Sequence, residues 1–174
     1  MYNFSFKDRP NNQRLELHRD IYSDINTDIV RIFIDFQWTY RNMQRQYDLL
    51  LEKNGLSESR FIVLMFLYQA PEHTLLPSVI ADKLGATRAT VSKLLKGMES
   101  KGWITKSSSN EDKRAFFICL TDSGHQILLD FLPKNFSIVN QLLGSLSAED
   151  LQTLSTLLKK IEHSTQHYIQ EMEN

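Results

Sequence analysis

Pro77 to Trp103 reads PSVIADKLGATRATVSKLLKGMESKGW, and three of its residues decide the fold. Ala81, Gly85 and Val91 follow one another at steps of four and six residues. A small residue lets two helices touch, a glycine accepts the positive φ of a tight turn, and an apolar residue anchors the second helix on the first. That is the spacing of a helix-turn-helix. Pro77 suits the first turn of the leading helix, where its missing N–H has no partner to lose. Thr87 suits the N-cap of the second, and Ile80, Leu84, Leu94 and Met98 are expected to add inward contacts. The face left outward holds Arg88, Ala89, Thr90, Ser92, Lys93 and Lys96. Arginine can bond guanine through two parallel N–H groups, small or methylated side chains meet a thymine methyl, and hydroxyls and lysines bond phosphate. Thr87 to Lys96 is therefore the candidate DNA-reading surface. A solvated helix face has a similar composition, so the choice between them rests on the flanking sequence.

Beyond Gly102, the β-branched and aromatic runs WITKSS and RAFFICLT are joined by the polar link SNEDK and read as a β-hairpin. A helix-turn-helix followed by a basic hairpin is a winged helix, whose helix enters a major groove while the wing reaches the adjacent minor groove. Charge points the same way. The whole chain of 174 residues carries −1, but residues 82–114 hold eight basic residues (Lys83, Arg88, Lys93, Lys96, Lys101, Lys106, Lys113, Arg114) against four acidic ones (Asp82, Glu99, Glu111, Asp112). Screening limits electrostatic attraction to about 8 Å at physiological salt, so this local surplus matters more to a polyanion than the total does.

Upstream, Ile21, Ile25, Ile29, Ile32, Phe36, Tyr40, Met43, Tyr47 and Leu50 recur at steps of three and four, which predicts one long helix. KNGLSES interrupts it, with Gly55 ending that helix and Ser57 capping a second over 58–68 that stops at Pro71. Leu75 and Leu76 read as a short extended segment. Downstream, Thr121 and Asp122 open a helix that Pro133 should kink, and Ser147 with Asp150 forms a capping box for a last helix. The apolar stripes of the first and the last two helices exceed what the small central segment can cover, which predicts a homodimer. The fold class expected is mainly α with a small β-hairpin wing: a winged helix-turn-helix over 56–121 plus a helical dimerisation domain over 20–55 and 122–174. Residues 1–19 lack a period and read as an N-terminal arm or a disordered segment.

LGATRATVSKLLKGMESKGWI, NEDKRA and LTDSG, in that order between Leu56 and Gly124, resemble the multiple-antibiotic-resistance regulator (MarR) family. The resemblance implies a dimeric transcriptional regulator, in most relatives a repressor, that binds double-stranded DNA at a pseudopalindromic operator and is released by a small aromatic or phenolic effector. It also implies that Asp112 orients Arg114 toward the minor groove, with Lys113 meeting phosphate. Phe33, Trp38, Tyr40, Phe61, Phe66 and Tyr68 are the candidate lining of an effector pocket, although aromatic residues at helical spacing also describe plain core.

Other classes find less support. No phosphate-cradling glycine loop or G-x-S-x-G elbow is present, so neither an enzyme nor a cofactor is expected. The longest apolar run, Phe61–Tyr68, is far below the roughly 20 residues that span a bilayer, and the N-terminus lacks the pattern of a signal peptide. A cytoplasmic protein with no membrane partner is expected. The one cysteine, Cys119, falls on the second wing strand opposite the face of Phe116, Ile118 and Leu120, with nothing nearby in sequence to lower its pKa. His163 and His167 have a zinc-compatible spacing of four, but a solvated helix face explains them more simply and no metal site is expected. The competing function is a winged-helix module whose basic face binds an acidic protein partner.

Overall fold

The computed structural model describes residues 26–108 and 116–173. The wing residues Asp112, Lys113 and Arg114 lie outside the described residues, as does the N-terminal stretch through residue 25. In chain order the elements are α1 (Thr27–Lys53), α2 (Glu58–Gln69), a 3-10 turn (Pro71–His73), β1 (Thr74–Leu75), α3 (Pro77–Leu84), α4 (Arg88–Glu99), β2 (Ile104–Ser108), β3 (Phe116–Leu120), α5 (Asp122–Leu143) and α6 (Ala148–Glu173). Two compact units divide between His125 and Gln126, inside α5.

Helix limits in the first unit follow local hydrogen bonding. The long helix α1 starts at Thr27, where the Asn26 side chain accepts from the N–H groups of Asp28 and Ile29 at 3.1 and 3.2 Å, and Ile21 and Ile25 of the expected stripe lie outside the described residues. Asn54 closes α1 by donating from Nδ2 to the Leu50 carbonyl at 2.8 Å, and Gly55 follows at φ +72°. Ser57 caps α2 by accepting from the Arg60 N–H. Pro77 occupies the first turn of α3.

The core of this unit joins α2, α3, α4 and the sheet. Val63, Leu64, Leu67, Ile80, Met98 and Ile118 are all fully buried. The expected hairpin is one part of a three-stranded antiparallel sheet ordered β1-β3-β2. Thr74 and Leu75 pair with Cys119 and Ile118, while β2 pairs with β3 from Ile104↔Leu120 to Ser108↔Phe116. The extended segment thus falls one residue earlier than its sequence suggests, and Leu76 becomes the residue that precedes α3.

In the second unit α6 is capped by the expected box. Asp150 N–H donates to Ser147 Oγ at 3.1 Å, and Ser147 N–H donates back to Asp150 Oδ2 at 2.9 Å. Pro133 lies inside α5, which runs from Asp122 to Leu143. The apolar stripe of α6 stays open to solvent, with Leu158, Ile161, Tyr168 and Met172 all exposed.

Candidate nucleic-acid interface

Gly85 takes the left-handed conformation at φ +58° and ψ +33°, ending α3 with its own N–H bonded to the Asp82 carbonyl. L-residues with a Cβ rarely adopt that conformation, so the turn between the helices depends on glycine. Thr87 then caps α4, its Oγ1 accepting from Thr90 N–H at 3.2 Å and lying 2.9 Å from Thr90 Oγ1. No acidic side chain stands in the first turn of α4 to offset the positive end of its dipole.

Burial orients α4. Val91, Leu95 and Met98, at i, i+4 and i+7, are 1%, 3% and 0% exposed and fix the inward face. Leu95 is an inward residue that sequence reasoning missed in favour of Leu94, which is only half-buried. Two adjacent leucines fit the apolar period equally well, and the rotation of α4 against α2 and α3 chooses between them. Thr87, Arg88, Ala89, Thr90, Ser92, Lys93 and Lys96 are all exposed.

The basic residues of this segment divide into engaged and free cations. Lys106 Nζ pairs with Glu99 Oε2 at 2.6 Å and lies 5.6 Å from the Phe116 ring centre. Lys101 Nζ sits 4.7 Å over Trp103, and Lys83 Nζ 5.3 Å over Phe66. Arg88, Lys93 and Lys96 have no ion pair among the described residues. Among the described residues of this segment, Arg88, Lys93 and Lys96 on the outward face of α4 are therefore left for an external anion.

The six aromatic residues proposed as a pocket lining separate by exposure. Phe61 is buried, Trp38 and Phe66 are half-buried, and Phe33, Tyr40 and Tyr68 are exposed. Tyr68 instead belongs to a grouping with no sequence signal, in which its ring stands 5.7 Å from that of His73 and 5.3 Å from that of His125. The chain enters His73 through consecutive positive φ values of 51° at Glu72 and 56° at His73. Cys119 is half-buried between the neighbouring strands, and burial pushes its thiol pKa up. His163 and His167 lie exposed on α6, with His167 Nδ1 3.6 Å from Glu171 Oε2. Among the described residues, no three His, Cys, Asp or Glu side chains are grouped to hold a metal, and no helix is long and apolar enough to cross a membrane.

A glycine-turned helix pair, an outward basic face and an adjoining three-stranded sheet define a winged helix-turn-helix. A family model described as the MarR family matches residues 54–115. The chain is 30% identical over 83% of its length to the HTH-type transcriptional repressor YetL of Bacillus subtilis, 86% of which is covered. It is 29% identical to the transcriptional repressor MprA of Escherichia coli, over 64% of either protein. Among solved structures, the MepR–DNA complex of S. aureus is 28% identical with a TM-score of 0.65, covering 74% of this chain and 94% of that one. A MarR family regulator from Streptomyces coelicolor in complex with DNA shares the fold at a TM-score of 0.72 and 20% identity, over 80% of this chain and 89% of that one. The chain belongs to the MarR family of transcriptional regulators.

Proposed function

We propose that this protein is a homodimeric repressor that binds a pseudopalindromic DNA operator through α4 and releases it when a small aromatic or phenolic effector binds. The observation that carries the reading is the division of α4 itself: Val91, Leu95 and Met98 are buried, while Arg88, Lys93 and Lys96 are exposed without ion pairs among the described residues. Arg88 and the small side chains of Ala89, Thr90 and Ser92 read base edges, Thr87, Lys93 and Lys96 hold phosphate, and the positive end of the helix strengthens both. Arg114, oriented by Asp112 toward the minor groove, and Lys113, meeting phosphate, are assigned to the wing on sequence grounds.

Dimerisation is supported by apolar surface that a monomer leaves wet. Ile29, Ile32, Phe33, Phe36 and Tyr40 are exposed along α1, and a further exposed stripe runs along α6. A two-fold dimer would place two copies of α4 about 34 Å apart on one face of the duplex. The effector acts by population shift: it weakens DNA binding only as far as it prefers a dimer whose recognition helices are wrongly spaced. Trp38 and Phe66, each half-buried, are the pocket residues best placed to meet an aromatic ring while still supporting the fold.

Selection of bound duplexes from random DNA, with and without simple phenols, tests this directly. A recovered palindrome with half-sites about one helical turn apart, lost on phenol addition, is the expected result. Recovery of unrelated sequences, or a monomeric mass by light scattering at micromolar concentration, overturns it.

A further inference from the structure

Gly97 stands inside α4, where glycine is among the least favourable residues for a helix. A Cβ built there meets one neighbour within 4 Å, Arg60 Nη2 at 3.8 Å. The guanidinium of an α2 residue therefore lies against bare backbone of the recognition helix. Gly97 is four residues beyond Lys93 and seven beyond Thr90, so the three share one flank of α4 beside the outward stripe. Arg60 is half-buried, yet among the described residues no ion pair engages its head group. Lys101 and Lys106, in contrast, are occupied by Trp103 and Glu99. A half-buried arginine whose head group has no ion pair among the described residues can give two parallel N–H groups to an anion outside the fold.

We propose that Arg60 is a DNA-backbone contact carried by α2: its guanidinium crosses Gly97 to reach a phosphate at the edge of the groove that α4 enters. This assignment rests on the DNA-binding reading of α4 and adds a second helix to that interface. It reads no base, so it contributes affinity and salt dependence without sequence preference.

Fluorescence anisotropy of the full chain on a mixed-sequence duplex of about 30 base pairs, titrated between about 50 and 200 mM salt, tests the assignment. One lost phosphate contact per protomer lowers the slope of log affinity against log salt by about 0.9, hence by about 1.8 for a dimer. Arg60→Gln should show that drop, so that its deficit relative to the parent shrinks roughly tenfold over that salt range. Arg60→Met keeps the apolar stem and should behave alike, which guards against a folding defect in Arg60→Gln. Arg60→Lys should keep most of the slope. Folded Arg60→Gln or Arg60→Met with the parent's slope overturns the role of Arg60 and leaves the reading of α4 standing. A parent that binds the duplex without salt dependence overturns both.

Discussion

Gly124, in the first turn of α5, sits so close to the Trp103 carbonyl that a Cβ at residue 124 would overlap both its carbon and its oxygen. Leu120 Cδ1 would crowd the same position at 2.9 Å. The approach is held by three hydrogen bonds. Thr121 N–H donates to the Trp103 carbonyl at 3.1 Å, Thr121 Oγ1 donates to the Gly102 carbonyl at 2.6 Å, and Gly124 N–H donates to Thr121 Oγ1 at 3.1 Å. This corner ties the start of α5 to the turn that follows the recognition helix, and it gives the LTDSG motif its physical reason.

Because the nearest obstacle is the Trp103 backbone carbonyl, moving the Leu120 side chain alone cannot make room for Gly124→Ala. Its unfolding free energy in urea should fall by about 1–3 kcal/mol. An unchanged denaturation midpoint would show that the corner relaxes freely.

Gly85→Ala separates conformation from contact. Nothing lies within 4 Å of a Cβ at residue 85, so the cost arises from φ +58° alone, about 1–2 kcal/mol. Asparagine tolerates that conformation better, so Gly85→Asn should lie between alanine and the parent in the same urea titration. Equal losses for the two variants would reject the assignment of strain to backbone angle.

Arg88→Ala and Arg114→Ala should differ in kind. With Arg88 removed, discrimination at one base pair of each half-site should drop by about 1–3 kcal/mol, leaving other positions unchanged. With Arg114 removed, affinity should fall across all sequences. Competition binding on single-base operator variants distinguishes the two patterns, and identical footprints and affinities for both variants and the parent would remove both roles.

The capping box of α6 predicts an acid-dependent stability term. The Ser147 hydroxyl, then its backbone N–H, donate to Asp150 and hold its carboxyl below the usual carboxylate range. Stability from the ionised form is complete above the unfolded value of about 3.9 and is lost as pH falls through the lower folded value. The melting-temperature advantage of the parent over Asp150→Asn should therefore shrink as the buffer is taken below that range. An advantage constant with pH would assign the difference to hydrogen bonding by either side chain.

Cys119 should be a slow thiol. Burial raises its pKa, so little thiolate is present at neutral pH, and iodoacetamide should alkylate it more slowly than it alkylates glutathione. Peroxide should leave DNA binding by the parent and by Cys119→Ser equally intact, and a peroxide response confined to the parent would contradict this.

What could be read from the chain alone was local chemistry. Gly85, Thr87, Pro77, Ser57 and the Ser147–Asp150 box act on backbone groups within three or four residues, so their meaning is complete in a short window. The same locality explains why the helix-turn-helix and its outward face were legible. Tertiary packing decided what depends on distant partners: that Leu95 rather than Leu94 turns inward, and that two residues at Thr74–Leu75 extend the hairpin into a sheet. It also chose, among the described residues, which lysines are engaged and which cations have no ion pair, and it set Arg60 Nη2 beside Gly97. Adjacent leucines and scattered lysines are equivalent in a one-dimensional pattern. They become different only when buried volume and charge pairing between separate elements fix how each helix is turned.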